Sequence, residues 1–297
     1  MTRGPGVLRV RAGAGHRCGH NSPVPHGTWP DGAVLASGRM TTVGGSSLVG
    51  KSALITGASA GIGAAAAWVF CREGAAVTLV ARREPELAAL TAELARAGHR
   101  AQYVVADVTR PADAERAVAA AVAAYGGLDA AFNNAGLAAL PQPMHLMDDA
   151  VYDTVMDTNV RGVWNCMRHE LAAMLERGGG AIVNNSSTAG LVATVAGSPY
   201  IASKHAVIGL TKAAANEYAA HGIRVNALAT GATRSEMLAD WLAGDHPARE
   251  DAMAGKAMVG RLATPTEIAE VAAWLCSGRS SYVVGATVPV DGGRLSR

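Results

Sequence analysis

The chain is 297 residues long, 49% of its residues are hydrophobic, and its formal net charge at pH 7 is only +2. It is long enough for a substantial buried core, and its small charge excludes a protein that binds nucleic acid mainly by electrostatics. No apolar run approaches the roughly 18 residues of a membrane helix, and the arginine-broken start is unlike a signal peptide. The four cysteines are widely spaced, as is typical of a reducing compartment. We therefore expect a cytoplasmic protein with neither a membrane nor a nucleic-acid partner.

The first 48 residues differ in composition from the rest. They hold ten of the 35 glycines and four of the 12 prolines, and they lack apolar periodicity. Such a segment has little to bury, so residues 1–48 are interpreted as a disordered extension, with Met40 as an alternative start of the natural chain. His16, Cys18 and His20 offer three metal donors without a fourth, so no metal site is expected.

Residues 49–297 contain no linker or repeat and are predicted to form one domain. Apolar runs predict buried strands at about 52–56, 76–81, 102–106, 129–133, 181–186, 223–228 and 286–290. Helical patterns lie between them, after Gly63, between Pro85 and Gly98, and near 112–125, 149–177, 199–220, 235–243 and 265–277. This alternation predicts a Rossmann-like α/β fold, a doubly wound parallel sheet of about seven strands with helices on both faces.

A glycine-rich turn follows the first predicted strand, reading T-G-A-S-A-G-I-G over residues 56–63. Glycines at a strand-to-helix turn let the backbone approach a pyrophosphate and direct the helix N-terminus at it. The spacing differs from the usual G-x-G-x-x-G, and such turns also serve plain packing. Its place between a strand and a helix favours a dinucleotide site, with contacts from Gly57, Ser59, Ala60, Gly61, Ile62 and Gly63.

Two arginines, Arg82 and Arg83, stand at the end of the second predicted strand. An acidic residue at this point binds the ribose 2′-hydroxyl of NAD, whereas arginine suits the 2′-phosphate of NADP. Two solvated arginines on a surface loop are the alternative. The pair favours NADP(H) as the cofactor.

Tyr200 and Lys204 are four residues apart within S-P-Y-I-A-S-K. On a helix their side chains share one face, with Cβ atoms roughly 5–6 Å apart. A phenol has an unperturbed pKa of about 10, and a neighbouring ammonium lowers it, so the spacing predicts a tuned general acid/base. The same spacing is also common on ordinary helices, so the other motifs of the chain must decide between the two readings.

Further motifs follow in chain order. They are Asp107-Val108 after the third strand, N-N-A-G at 133–136, Asn159 in D-T-N-V-R-G, Ser187 thirteen residues before Tyr200, and V-P-V-D-G-G at 288–293. Together with the glycine-rich turn and the Tyr–Lys pair, these motifs resemble those of the short-chain dehydrogenase/reductase superfamily over about residues 50–293. The resemblance implies an NAD(P)(H)-dependent oxidoreductase that transfers a hydride between nicotinamide and a secondary alcohol or ketone.

The resemblance also implies a role for each matched residue. Tyr200 would be the general acid/base, Lys204 would lower its pKa and bind the nicotinamide ribose, and Ser187 would hydrogen-bond the reacting oxygen. Asn159 would support a water-linked proton relay behind Lys204. The remaining cofactor contacts that the resemblance implies, besides Tyr200 and Lys204, are Asp107, Val108, Asn134, Ala135, Gly136, Gly231, Thr233 and Ser235.

Three positions depart from the family pattern. Thr230 replaces the family's usual proline before Gly231, which predicts a looser loop because proline would pre-set the backbone. Ser235 stands where a threonine often contacts the nicotinamide carboxamide, and its hydroxyl can serve the same purpose. Ala60 is not the basic residue of many NADP-preferring members, so NAD(H) remains possible.

Apolar side chains near the predicted lid indicate the class of substrate. Met237, Leu238, Trp241 and Leu242 have the spacing of an apolar helical stripe, although most such stripes are core. Met144 and Met147 could add an adaptable apolar wall. These residues favour a hydrophobic or cyclic alcohol or ketone.

Two other functions remain open on the sequence. One is a ketoreductase of carrier-bound acyl chains, but Arg161, Arg168 and Arg234 are too scattered to form a basic patch for an acidic carrier. The other is a cofactor-binding regulator without turnover, against which the complete set of four matched catalytic residues argues. The family resemblance further implies a homotetramer or homodimer that associates through the helices around the catalytic pair.

Overall fold

The computed structural model describes residues 47–242 and 246–296, without the side chains of 240–242 and 246–249. Most of the predicted extension, with Met40 and the candidate ligands His16, Cys18 and His20, lies outside the described residues, so its disorder stays a prediction. Its last two residues, Ser47 and Leu48, are described.

Seven parallel strands form one sheet in the order β3-β2-β1-β4-β5-β6-β7. The chain leaves β1 in one direction to β2 and β3 and returns to β4 on its other side, so the topological switch point lies between β1 and β4. The predicted doubly wound fold is therefore confirmed. The strands are β1 (Ser52–Thr56), β2 (Ala76–Ala81), β3 (Ala101–Val105), β4 (Ala130–Asn133), β5 (Gly180–Asn185), β6 (Ile223–Thr230) and β7 (Thr287–Val290).

Helices cover both faces of the sheet in the part of the chain that the structure describes. Those packed on one face are α1 (Gly61–Arg72), α2 (Glu84–Arg96) and α9 (Pro265–Cys276). Those packed on the other are α3 (Pro111–Tyr125), α5 (Gly162–Arg177) and α6 (Ser198–Tyr218). The others are α4 (Asp149–Met156), α7 (Glu236–Leu242) and α8 (His246–Ala254).

The strands β1, β2 and β4 are mainly apolar because both of their faces are buried. In β1, Ile55 packs into the core below α1 and α9, while its neighbour Leu54 packs into the core below α3 and α5. In β4, Phe132 and Ala131 alternate in the same way. Successive side chains of a strand point to opposite faces, so two cores require a continuous apolar run rather than alternation.

The structure differs from the sequence-based expectation at three places. The single helix expected over 149–177 is divided into α4 and α5 by a π-helical turn, Asp157–Arg161. Helix α8 follows the expected lid helix and was not predicted. Ser47 and Leu48 are ordered, since Leu48 is buried and the Ser47 side chain donates to Glu73.

None of the described helices is long and apolar enough to cross a membrane.

Candidate active site

A cavity of about 690 Å³ opens at the carboxyl ends of the strands, at the topological switch point between β1 and β4. All but two of the predicted site residues line it. The exceptions are Gly63, which packs against the Gly57 carbonyl within the glycine-rich turn, and Asn159, which is fully buried. Those that line it are Gly57, Ser59, Ala60, Gly61, Ile62, Arg82, Arg83, Asp107, Val108, Asn134, Ala135, Gly136, Ser187, Tyr200, Lys204, Gly231, Thr233 and Ser235.

The glycine-rich turn between β1 and α1 has the shape of a phosphate cradle. Gly57 has φ +64° and Gly61, the first residue of α1, has φ +54°, values that a side chain would strain. A Cβ on Gly63 would lie 2.2 Å from the Gly57 carbonyl oxygen. The backbone can therefore approach a ligand closely, and the N-terminus of α1 faces it, so these residues fit a dinucleotide pyrophosphate.

The two arginines after β2 have different surroundings, although both are exposed at the rim. Arg83 donates to Ser59 Oγ at 3.1 Å, forms an ion pair with Glu236 of α7 at 2.8 Å, and forms another with Glu86 at 3.2 Å. Arg82 has no such partner among the residues that the structure describes. A 2′-phosphate would meet an unpaired guanidinium at Arg82 and a partly neutralised one at Arg83.

The segment after β3 forms another wall of the cavity. Asp107 Oδ1 accepts hydrogen bonds from the Thr109 amide at 3.0 Å and the Thr109 hydroxyl at 2.9 Å, which fixes the carboxylate against its own turn. The Val108 carbonyl accepts from Asn165 Nδ2 of α5 at 2.9 Å. The apolar Val108 side chain and the polar Asp107 are thus both held at the cavity wall.

The N-N-A-G segment after β4 is anchored to β1 by its backbone. The amides of Asn134 and Ala135 both donate to Thr56 Oγ1, at 2.9 and 3.0 Å. The Asn134 side chain donates to the Thr56 carbonyl at 3.1 Å. The floor of the cavity and the glycine-rich turn therefore form one hydrogen-bonded unit.

Ser187, Tyr200 and Lys204 converge on the cavity from two elements. Ser187 follows β5, and the other two lie one turn apart near the start of α6, with Lys204 Nζ 5.5 Å from the centre of the Tyr200 ring. Lys204 Nζ donates to the Asn185 carbonyl at 2.9 Å. Burial lowers the pKa of Lys204 to about 8, so this amine is protonated at neutral pH yet close to titration.

The pKa of Tyr200 is raised in the structure, whereas its spacing from Lys204 predicts a lowered value. Burial raises the pKa of Tyr200, and hydrogen bonding with Ser187 only partly opposes that shift. Removing a phenolate from water is costly, and Lys204 directs its ammonium at a backbone carbonyl rather than at the phenol oxygen. Tyr200 is therefore a protonated acid at neutral pH.

Asn159 lies in the π-helical turn, and its side chain is fully used within the protein. Its Oδ1 accepts from the Leu137 amide at 2.7 Å, and its Nδ2 donates to the Leu137 carbonyl and to Ser203 Oγ, each at 2.9 Å. It therefore joins the segment after N-N-A-G to α6. A π-helical turn inserts one extra residue into a helix and often marks a functional site.

The loop after β6 closes over the glycine-rich turn. Thr233 Oγ1 donates to the Gly231 carbonyl at 3.0 Å, and Ser235 Oγ accepts from the Leu238 amide at 3.3 Å. A Cβ on Gly61 would lie 3.2 Å from the Ser235 Cβ. The loop predicted to be loose because Thr230 replaces proline is hydrogen-bonded instead, since the Thr230 hydroxyl donates to Asn185 Oδ1 at 2.6 Å.

Asn185 is the main site residue that the sequence did not reveal. It ends β5 immediately before the serines, lines the cavity, and hydrogen-bonds both Asn134 and Thr230. A second polar residue at the carboxyl end of a buried strand was the available signal.

A second cavity of about 700 Å³ adjoins the first and is mainly apolar. Leu140, Val195 and Met253 line both cavities, and Met237 and Leu238 line the first. Met144 and Met147, which were expected to add an apolar wall, line neither of these two cavities. The side chains of Trp241 and Leu242 lie outside the described residues.

Comparisons with known proteins find similar chains over most of this one. A family model described as enoyl-(acyl carrier protein) reductase matches residues 57–294. An A-factor type γ-butyrolactone 1′-reductase (1S-forming) of Streptomyces virginiae is 61% identical over 247 residues, covering 83% of this chain and 96% of that protein. A 2,5-dichloro-2,5-cyclohexadiene-1,4-diol dehydrogenase of Sphingobium indicum is 39% identical over 84% of this chain and 98% of its own. A crystal structure of an actinorhodin polyketide ketoreductase variant with NADPH is 36% identical, with a TM-score of 0.78 over 82% of this chain and 97% of that chain.

Proposed function

Because the chain belongs to the short-chain dehydrogenase/reductase superfamily, and is therefore an oxidoreductase of CH–OH and C=O groups, we propose that Ser187, Tyr200 and Lys204 carry its catalysis. The supporting observation is that all three line the same cavity as the glycine-rich turn. NADP(H) bound there supplies or accepts the hydride. Side chains of this chain would supply the proton and orient the substrate.

Tyr200 is proposed as the general acid in the direction of reduction. Its pKa is raised by burial, so it holds its proton at neutral pH and can deliver it to a developing alkoxide. Ser187 donates a hydrogen bond to the same oxygen and orients it. Lys204 places a positive charge beside the phenol ring, which stabilises the phenolate left after transfer.

Asn159 is proposed to support this set from behind rather than to touch substrate. Its contacts with Leu137 and Ser203 hold the chain after N-N-A-G against α6, the helix that carries Tyr200. The proton relay that the family resemblance implies behind Lys204 would then run beside this hydrogen-bonded segment.

The proposed substrate is a cyclic, largely apolar ketone, with γ-butyrolactones reduced at the 1′ position as the leading class. The 61% identical relative is named for that reaction, and the 39% identical relative is named for a cyclohexadiene diol. The apolar rim formed by Leu140, Val195 and Met253 suits a ring and an apolar substituent.

A carrier-bound acyl ketoreductase is the second candidate. The description of the matching family model supports only the carrier-bound acyl chain, because an enoyl reductase acts on a C=C bond rather than on a ketone. The arginines that would receive an acidic carrier argue against it. Arg161 is within 3.9 Å of Asp157, and Arg234 is within 3.4 Å of Glu250, so carboxylates already offset two of their charges.

A panel of substrates separates these functions. NADPH consumption is followed at the nicotinamide absorbance with γ-butyrolactone ketones, cyclohexanones and 3-oxoacyl thioesters. Tyr200→Phe should lower kcat by about a hundredfold or more, because a general acid typically contributes that factor, while NADPH binding persists. Wild-type turnover by this variant would refute the catalytic assignment, and preferential reduction of thioesters would favour the second candidate.

NADP(H) is proposed over NAD(H) on the basis of Arg82 and Arg83. Fluorescence titration should show tighter binding of NADPH than of NADH. Arg82→Ala should reduce the difference, because this guanidinium has no competing carboxylate in the part of the chain that the structure describes. Arg96→Ala, at the end of α2, is the matched control and should bind like wild type. Equal affinity for both nucleotides in the wild-type protein would contradict the proposal.

Self-association is proposed through the helices beside the catalytic pair. Val151 and Tyr152 of α4 and Trp164 of α5 are large apolar side chains with 38%, 47% and 47% exposure. Apolar residues exposed together commonly mark an interface. Light scattering coupled to size exclusion should give a homodimer or homotetramer, whereas a monomer at micromolar concentration would contradict this.

A further inference from the structure

One chain of side-chain hydrogen bonds crosses the carboxyl ends of four neighbouring strands. The Thr230 hydroxyl, at the end of β6, donates to Asn185 Oδ1 at the end of β5, at 2.6 Å. Asn185 Nδ2 donates to Asn134 Oδ1, just beyond β4, at 2.9 Å. Asn134 Nδ2 donates to the Thr56 carbonyl of β1 at 3.1 Å. Since these strands are adjacent in the sheet, the chain follows the floor of the cavity from one side to the other.

Every bond in this chain runs in the same direction. An asparagine amide has one accepting and one donating end, so each of the two carboxamides must accept from the β6 side and donate toward β1. The Thr230 hydroxyl is the donor that starts the series. Without it, Asn185 Oδ1 would lack a partner, and the carboxamide could turn over.

The far end of the chain bears on the glycine-rich turn. A Cβ on Gly57 would lie 3.0 Å from Asn134 Nδ2, and a Cβ on Gly63 would lie 2.8 Å from the same atom. The Asn134 carboxamide thus packs directly beneath the two glycines of the pyrophosphate cradle. A carboxamide turned over at this position would bring its oxygen against the Thr56 and Gly57 carbonyls, which now accept from Nδ2.

Asn185 also connects the chain to the catalytic pair. Its backbone carbonyl accepts from Lys204 Nζ at 2.9 Å, while its side chain lies in the middle of the series. Asn185 therefore contacts the Lys204 ammonium through its backbone carbonyl and the Asn134 carboxamide through its side chain.

We propose that Thr230 and Asn185 are positioning residues for the cofactor, holding the glycine-rich turn and Lys204 in a fixed relation through Asn134. This inference rests on the proposed dinucleotide site. Thr230 was expected to loosen the loop because it replaces a proline. Its hydroxyl instead makes a hydrogen bond that a proline could not make.

The test measures NADPH affinity by fluorescence titration, independently of turnover. Thr230→Val keeps the shape of the side chain but removes the donor. It should weaken NADPH binding about fivefold, the order expected for a half-buried acceptor left unpaired. Thr230→Ser restores the hydroxyl and should bind within about twofold of wild type. A loss in Thr230→Ser equal to that in Thr230→Val would show that the hydroxyl does not restore binding, and would overturn the proposal.

Asn185→Leu interrupts the series at its centre and provides a second, independent variant. If the series acts as one unit, the double variant Thr230→Val/Asn185→Leu should bind NADPH no more weakly than Asn185→Leu alone. Additive losses would overturn the proposal. The thermal midpoint of each variant, measured alongside, identifies any that fails to fold.

Thr211→Val is the matched control. Thr211 accepts a hydrogen bond from Asn184 Nδ2 at 3.0 Å, so it also makes a buried threonine–asparagine contact at the same strand, but away from the cavity. It should lower the thermal midpoint and leave NADPH affinity unchanged. Wild-type protein that bound neither NADPH nor NADH would overturn the proposed function itself, whereas wild-type binding matched by Thr230→Val would overturn only the positioning role.

Discussion

Glu170 should make the stability of the protein depend on pH in an unusual direction. This carboxyl lies on α5 with no exposed surface, and its Oε2 accepts from Asn133 Nδ2 at 2.9 Å. Its Oε1 and the Asn133 Oδ1 have no hydrogen-bond partner among the residues described. Two unpaired acceptors in one buried cluster indicate that the carboxyl carries a proton on Oε1.

Burial raises the pKa of Glu170 to about 7, and the hydrogen bond from Asn133 only partly opposes that shift. The unfolded chain releases the same proton near pH 4.5, so between these values the folded state binds more protons than the unfolded state. The free energy of unfolding therefore falls as pH rises through this window and levels off above the folded pKa. The shift corresponds to about 3 kcal/mol, at roughly 1.4 kcal/mol per pKa unit.

The assay is urea unfolding of the wild type and of Glu170→Gln between about pH 5 and pH 8. Glutamine keeps the acceptor for Asn133 and cannot ionise, so the stability of wild type relative to this variant should fall by about 3 kcal/mol across the range. The nearby thiols of Cys166 and Cys276 do not interfere, because burial holds both pKa values far above this range. Glu176→Gln, an exposed carboxyl on the same helix, is the control and should show no such difference. A constant difference between wild type and Glu170→Gln would refute the reasoning.

Three further predictions follow from individual contacts. Gly63→Ala should abolish NADPH binding in a fluorescence titration, because its Cβ would lie 2.2 Å from the Gly57 carbonyl oxygen; retained affinity would contradict the cradle. Thr264→Ala removes the capping box of α9 and should lower the free energy of urea unfolding by about 1 kcal/mol, with an unchanged midpoint as the opposing result. Glu236→Gln releases Arg83 from one of its two carboxylate partners and should tighten NADPH binding about twofold, a small effect because the pair is exposed; NADH binding should not change, and a parallel gain for NADH would argue against 2′-phosphate recognition.

Local sequence pattern was sufficient for the layers of the fold and for most of the predicted residues that line the first cavity. Continuous apolar runs predict strands buried on both faces, as Leu54 and Ile55 of β1 show by packing into opposite cores. The strand-to-helix position of the glycine-rich turn and the spacing of Tyr200 and Lys204 are also local. Neighbours along a regular strand or helix have a predictable relation in space, so such features can be read without a structure.

Contacts between distant segments were decided only by the tertiary structure. The bond from Thr230 to Asn185 joins residues 45 positions apart, and a local view of the same threonine predicted a looser loop. The pairing of Arg83 with Glu236, 153 positions away, is equally invisible along the chain.

Burial decided the electrostatics in the same way. The spacing of Tyr200 from Lys204 predicts a lowered pKa, yet desolvation raises it in the folded protein. Desolvation depends on everything that surrounds a group, and for Tyr200 those surroundings come from segments far apart in sequence. Local motifs therefore predict which chemical groups are present at the site. The directions of their hydrogen bonds and their pKa values depend on the tertiary structure, because it brings the ends of distant strands together.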